Sequence, residues 1–372
     1  DMTRDEFFAV GKQVGIVLGL VVLAGTFLVF RSSGHQGDAV TGTLVATYTV
    51  FAFRSPYFQA EVLYYGISLV LFWLLLSLIQ RPRATTAVFA GCAGGLAFLT
   101  KASVLPVMLL AVACLIWRMI AGLKNRGHES DANKLALFLL PARSAVVLAA
   151  TFLLLISPYI LTSKERFGSY FYNVNSTFYM WYDSWEEVES GTRAHGDRVG
   201  WPDMPEEDIP SLRHYLRDHS PAEIGWRLVS GLAIVAGVSL FEGYGYGLFM
   251  LLYAAVIVTF FVQNKDSPHV GRLRDTNRLR MFFIVAYFCG YWALYAWYVP
   301  IAYGNRFNLA LFLPAMLLFV SSFSFFRTHG LSIRVLGKRA AVPEINKAIL
   351  LLLGLYLLTI YPWLISTMYA GR

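Results

Sequence analysis

Charge is what this sequence has least of. Only 15% of its 372 residues are Asp, Glu, Lys or Arg, where soluble domains carry about 25%. Seven histidines and three cysteines supply no haem or zinc motif. Cys92, Cys114 and Cys289 all sit in apolar stretches and form neither a disulfide framework nor a CxxC pair. There is no Walker A loop and no GxGxxG fingerprint at a strand–helix junction, which removes nucleotide-driven pumping. No internal repeat is visible, which weighs against an inverted-repeat transporter. What the chain has instead is apolar mass: 57% hydrophobic, 16% aromatic, mean hydropathy +0.54. Those figures exclude disorder and collagen. The net charge of +8 does not mark a nucleic-acid binder, because the basic residues recur in short runs between apolar segments. The pattern is that of an integral membrane protein.

Crossing the hydrocarbon core takes about 20 apolar residues. About ten spans are expected, at 11–31, 39–54, 60–80, 85–100, 104–120, 144–162, 243–263, 281–299, 307–325 and 345–366. Those at 39–54 and 85–100 are short and contain glycine. Residues 226–242 read as an interfacial helix, since one more span would invert the charge pattern that follows. With the N-terminus outside, the inner loops carry 17 basic residues against six acidic ones, and the outer side 13 basic against 17 acidic. Every loop then obeys the positive-inside rule, and both ends of the chain lie on the outer side. The expected fold is an all-α polytopic bundle in three regions: a transmembrane part (1–162), an outer loop with the interfacial helix (163–242) and a second transmembrane part (243–372). The chain opens at Asp1 with no signal-type segment before DMTRDEFF, so further sequence is expected upstream.

Residues 163–225 form the one large outer feature, rich in Tyr, Trp, acids and Pro. A connection this long is functional or disordered, and its aromatic content argues for folding over the membrane surface. Three short stretches at the outer boundary carry chemistry. In FRSPYFQAEVLYYG (53–66), Arg54, Gln59 and Glu61 lie beside the tyrosines Tyr57, Tyr64 and Tyr65. A carboxylate at membrane depth points to function, although Glu61 equally suits a helix N-terminus and the tyrosines an interfacial belt. In GGLAFLTKASVLP (94–106), Lys101 ends one span; it can snorkel to headgroups or hold a lipid phosphate. In AYGNRFNLALFLP (302–314), Arg306 follows a turn at Gly304 and Asn305, and its planar fork suits phosphate. Within the outer loop, RAHGDRVGWPDMP places His195, Asp197, Arg198 and Asp203 around Trp201, which can stack on a sugar ring. Asp5 and Glu6 stand just ahead of the first span, as a solvated run or the tail of an acidic loop.

In this order the parts resemble GT-C polytopic glycosyltransferases, especially relatives of the dolichyl-phosphate-mannose protein mannosyltransferases and the lipid A aminoarabinose transferases. The resemblance covers most of the chain: an acidic outer segment, SPYFQAE, a Gly-rich helix ending in LTK, a long outer loop and a late GNRF. It implies transfer of a sugar from a polyprenyl-phosphate donor to an acceptor at the outer face. Asp5, Glu6 or Glu61 would be the acid. Arg54, Tyr57, Gln59, Lys101, Asn305 and Arg306 would contact the donor, and the long loop, with His195, Asp197, Arg198 and Trp201, would cover the acceptor. The family places its acidic pair after an earlier helix, so either the base lies upstream of Asp1, or Asp5 or Glu6 serves, or catalysis has been lost. No cofactor is implied; a divalent ion assists some members, but no site here demands one. The expected partners are the lipid-linked donor, membrane lipids and, on the alternative reading of a non-catalytic GT-C-like subunit, a protein complex; nucleic acid is not among them. A transporter or flippase would need ionisable groups along a midplane path, and the span centres lack them.

Overall fold

The computed structural model describes residues 3–57, 59–124, 131–242 and 245–370. Among them, all regular structure is helical except one two-stranded hairpin. Among the described residues, nine helical segments are long and apolar enough to cross a membrane: Glu6–Ser33, Glu61–Gln80, Ala102–Gly122, Phe138–Phe167, Pro221–Phe241, Tyr246–Gln263, Arg278–Tyr298, Asn305–Thr328 and Val342–Thr367. The chain is an all-α polytopic membrane protein.

Three expected elements differ from this set. Residues 36–54 form a continuous helical stretch through Gln36–Ala46, Thr47–Phe51 and Ala52–Arg54, about 28 Å at the α-helical rise. It has the length of a span but not the hydropathy, because Asp38, Arg54 and four threonines dilute it. Ala84–Thr100 is a shorter apolar helix. The segment read as interfacial begins earlier than expected, at Pro221, because Ser220 and Glu223 form a capping box there; this gives it the length of a span.

The chain divides into two compact units. The first comprises Asp1–Trp73, Ser239–Arg278 and Leu309–Arg372. Its hub is Asp38, whose side chain is fully buried. Arg327 donates to it at 2.6 Å and Asn346 at 2.5 Å, tying the start of the 36–54 stretch to the end of Asn305–Thr328 and the start of Val342–Ala370. The rings of Phe260 and Phe326 stack at 4.3 Å, and those of Tyr253 and Phe319 at 5.1 Å, so Tyr246–Gln263 and Asn305–Thr328 run in the same direction. His269 and His329 meet at 4.4 Å. The loops following Ser33, Gln263 and Thr328, which the charge pattern assigns to one side, therefore share one end of this unit.

The second unit comprises Leu74–Val238 and Leu279–Asn308. Small residues set its packing. A Cβ on Gly91 would stand 2.7 Å from the Thr151 side chain and 2.9 Å from the Leu148 carbonyl, and one on Gly95 would stand 2.5 Å from Leu155. With Ala87 and Ala90 fully buried, Ala84–Thr100 presents a small-residue face to the long helix Asp131–Phe167, as GxxxG helices do in membranes. Arg118 donates to the carbonyls of Ile79 and Gln80, satisfying the last turn of Glu61–Gln80.

Because backbone and a β-branched side chain face Gly91, Gly91→Ala is expected to destabilise the protein by about 1–3 kcal/mol. Gly25→Ala, where a Cβ would meet nothing within 4 Å, should be neutral or slightly stabilising. Thermal unfolding in detergent compares the two; equal Tm values would contradict the packing described.

Candidate functional site

The 163–225 loop of the second unit is folded, and aromatic residues are the reason. Tyr172, Phe178, Tyr179, Val188, Ile209 and Ile301 are buried together, with Phe167 stacked on Tyr172 at 4.1 Å. Ser163 fixes the loop's entry, donating to the Ser169 carbonyl and accepting from the Tyr172 amide. Serines cap its helices in turn: Ser184 for Trp185–Ser190, Ser211 for Leu212–Asp218 and Ser220 for Pro221–Gly237.

Arg227 is the main fastening. Its side chain is only 5% exposed, and its guanidinium donates to Asp183 Oδ1 (2.6 Å), the Tyr215 hydroxyl (2.9 Å), the Met180 carbonyl (3.2 Å) and the Trp297 carbonyl (3.0 Å). It also lies over the Trp297 and Tyr215 rings, at 4.5 and 5.1 Å. The Trp297 indole shares the Met180 carbonyl at 2.7 Å. Asp183 further accepts from Tyr215 (3.0 Å) and His219 Nε2 (2.7 Å). His219 stacks on Tyr215 at 3.9 Å and directs Nδ1 to the Tyr215 carbonyl at 3.0 Å. Both ring nitrogens thus face acceptors, an arrangement satisfied only by the imidazolium. Burial pulls the His219 pKa down, but the hydrogen bonds to Tyr215 and Asp183 and the charges of Asp183 and Glu223 outweigh it, leaving it above the ordinary histidine value. Burial also raises the Tyr215 hydroxyl against the lowering effect of Arg227. Asp183, Tyr215, His219 and Arg227 line an open cavity of about 590 Å³ with Glu223, Trp226 and Pro300.

Of the RAHGDRVGWPDMP residues, Trp201, Arg198 and His195 are exposed. Asp197, expected to face an acceptor, is instead fully buried: the Tyr179 hydroxyl donates to its carboxylate at 3.3 Å and the Tyr172 hydroxyl to its carbonyl. It organises the loop core rather than its surface. His195 Nδ1 closes a local turn onto the Gly191 carbonyl at 2.8 Å. Trp201, 48% exposed, packs on Phe178 at 5.2 Å. It lines a second cavity of about 550 Å³ with Glu206, Ser211 and His214. A half-exposed indole beside a carboxylate, a hydroxyl and an imidazole suits a saccharide, which offers a C–H face and hydroxyls.

Lys101 and Arg306, far apart in sequence, come together. Lys101 Nζ lies 4.5 Å from the centre of the Phe307 ring and the Arg306 guanidinium 5.0 Å from it. Lys101 terminates Ala84–Thr100, and Asn305 and Arg306 open Asn305–Thr328 after Gly304 at φ +139°. Two cations therefore share one ring at the positive end of a helix dipole.

The other expected residues belong to the first unit. Glu61 opens Glu61–Gln80 and is partly buried; Tyr57 and Gln59 are exposed. Arg54 lies 6.0 Å from the Tyr57 ring. Glu6 is engaged in a capping box, accepting from the Thr3 amide at 2.8 Å. The Asp5 side chain and Phe58 lie outside the described residues, as do Arg126 and Glu129 of the inner-loop count. Among the described residues no cluster of His, Cys, Asp or Glu is arranged to hold a metal.

Sequence reasoning missed Asp183, Tyr215, His219 and Arg227. One signal was present: a lone arginine inside the apolar run WRLVSGLAIVAG, which must find a partner.

Replacing Arg227 by Lys removes the fork that reaches four groups at once, and is expected to cost about 2–4 kcal/mol in loop stability, read by limited proteolysis at the loop. The His219 imidazolium gives a pH dependence with a definite sign. Since its folded pKa is raised, its stabilisation is complete below about pH 6.5 and is lost as pH rises through the folded value. Hydrogen exchange of peptides covering Asp183 and His219, corrected for intrinsic rates, should show protection falling over that interval; His219→Phe should flatten the profile. Comparison with family models, curated proteins and solved structures finds no match to this chain.

Proposed function

We propose that the protein is a glycosyltransferase of the GT-C type, moving a sugar from a polyprenyl-phosphate donor to an acceptor at the outer face of the membrane. The observation that carries this reading is the meeting of Lys101 and Arg306 on the Phe307 ring. Two basic side chains on one ring beside a helix N-terminus make a cationic site of the kind that takes a phosphate, which can accept hydrogen bonds from both. In the transfer, the acceptor oxygen bonds to the sugar's anomeric carbon as that carbon's bond to the phosphate oxygen breaks, and the two cations stabilise the negative charge growing on the departing phosphate. The acceptor hydroxyl gives its proton to a carboxylate, the role proposed for Glu61, Asp5 or Glu6. Trp201 and its groove supply a surface for a saccharide acceptor. The outer placement of both chain ends follows from the charge pattern.

The test is binding of undecaprenyl phosphate to the purified protein in nanodiscs, wild type against Lys101→Ala and Arg306→Ala. Each substitution removes a charge-assisted hydrogen bond and is expected to weaken binding about 10- to 100-fold. Binding indifferent to both changes would overturn the reading.

A further inference from the structure

The hairpin Ser332–Val335 and Lys338–Ala341 has a tip that its own folding does not require. The register pairs Val335 with Lys338, leaving Leu336 and Gly337 as a two-residue turn, both with positive φ (+50° and +78°). This is a type I′ turn, whose first position favours Asn, Asp or Gly. A leucine there is strained, and its side chain is 99% exposed. Val335 beside it is 46% exposed, and Arg334, Lys338 and Arg339 around it are exposed as well. Strain held to present an apolar side chain among cations calls for a function.

The hairpin's anchorage says where that tip lies. The Gln263 amide acts as a third strand, accepting from the Arg334 amide at 2.7 Å and donating to the Arg334 carbonyl at 3.2 Å. Asn264 donates to the Ser332 carbonyl at 3.0 Å. Gln263 is the last residue of an apolar helix long enough to span. The turn begins two residues after Arg334, roughly 7 Å along the strand. The tip is thus held near the level at which a span leaves the hydrocarbon. On the same end, Lys265, Arg272 and Lys347 are exposed, as are the acids Asp266 and Glu344; Glu344 accepts from the Ala341 amide at 2.9 Å.

We propose that this tip is a binding site for anionic phospholipid headgroups, with Val335 and Leu336 entering the interface and Arg334, Lys338 and Arg339 contacting lipid phosphates. Apolar insertion beside cations is the combination that holds protein segments at charged membrane surfaces. The proposal is independent of the glycosyltransferase reading and uses none of the residues on which that reading rests.

An environment-sensitive fluorescent amino acid at position 336 tests it, with the full chain in nanodiscs of phosphatidylcholine alone or with about one third phosphatidylglycerol. Blue-shifted emission, quenched by headgroup-proximal spin-labelled lipid and stronger with phosphatidylglycerol, is expected. Arg334→Gln, Lys338→Gln and Arg339→Gln should each weaken the preference about fivefold. Water-like emission in every disc, shielding equal in both lipids, or shielding already present in lipid-free detergent, as a protein partner would give, overturns it. A second variant needs no probe. Leu336→Asn fits the turn and should raise Tm, while retention of phosphatidylglycerol over phosphatidylcholine in native mass spectrometry falls. Unchanged retention would likewise overturn the proposal.

Discussion

A guanidinium cannot stay buried at the edge of an apolar layer unless its donors are met, and Arg227 makes the outer loop obey that constraint. Removing such a cation from water costs several kcal/mol, recovered only when geometry is good and every donor is used. Here the four partners come from three places in sequence: Met180 with Asp183, Tyr215, and Trp297. Each belongs to a different piece of the loop or to the end of Arg278–Tyr298. Satisfying one cation therefore fixes the loop's start, its last short helix and the helix that follows. The aromatic core under Tyr172 and Phe178 supplies the area, and Arg227 supplies the registration. The Trp201 groove inherits its shape from that same loop core, through Phe178 and Ile209.

The first unit solves a related problem with the opposite charge. Asp38 is a fully buried carboxylate, and Arg327 and Asn346 reach it from two other helices. Such pairs are costly to break and add little net stability beyond a hydrophobic replacement. Their contribution is specificity: only one alignment of the three helix ends brings a guanidinium and an amide to the same carboxylate. The stacked aromatics between Tyr246–Gln263 and Asn305–Thr328 then fill in along the helices.

Much of the fold was legible because hydrophobic runs and loop charges are strong signals. The ends of Glu61–Gln80 and Tyr246–Gln263, the folding of the outer loop and the positions of Lys101 and Arg306 at helix termini all followed from residue type and spacing. Asp38 was counted only as an exception among inner-loop cations, and its burial against Arg327, 289 residues away, leaves no local trace. Asp197 misled for a similar reason. A Gly–Asp–Arg run resembles a surface binding loop, and only the placement of Tyr172 and Tyr179 reveals that the carboxyl group points inward. Tertiary pairing of polar groups is set by distant residues, so periodicity cannot report it.

Helix Pro221–Phe241 shows how length and geometry separate. By length and composition it can cross a membrane. Its buried stripe, Arg227, Gly231, Val235 and Val238, extends over about 16 Å and reaches the last turn of Arg278–Tyr298. Arg227 meets the Trp297 carbonyl, and a Cβ on Gly231 would stand 2.2 Å from the Ala296 carbonyl. Val235 already faces Asn308, beyond the turn that follows. Ala84–Thr100 and Asp131–Phe167 pair through Gly91 and Gly95, one turn apart. Trp226 and Val229, 70% and 60% exposed, form an outward apolar face on Pro221–Phe241, while its protein side is anchored by a paired arginine.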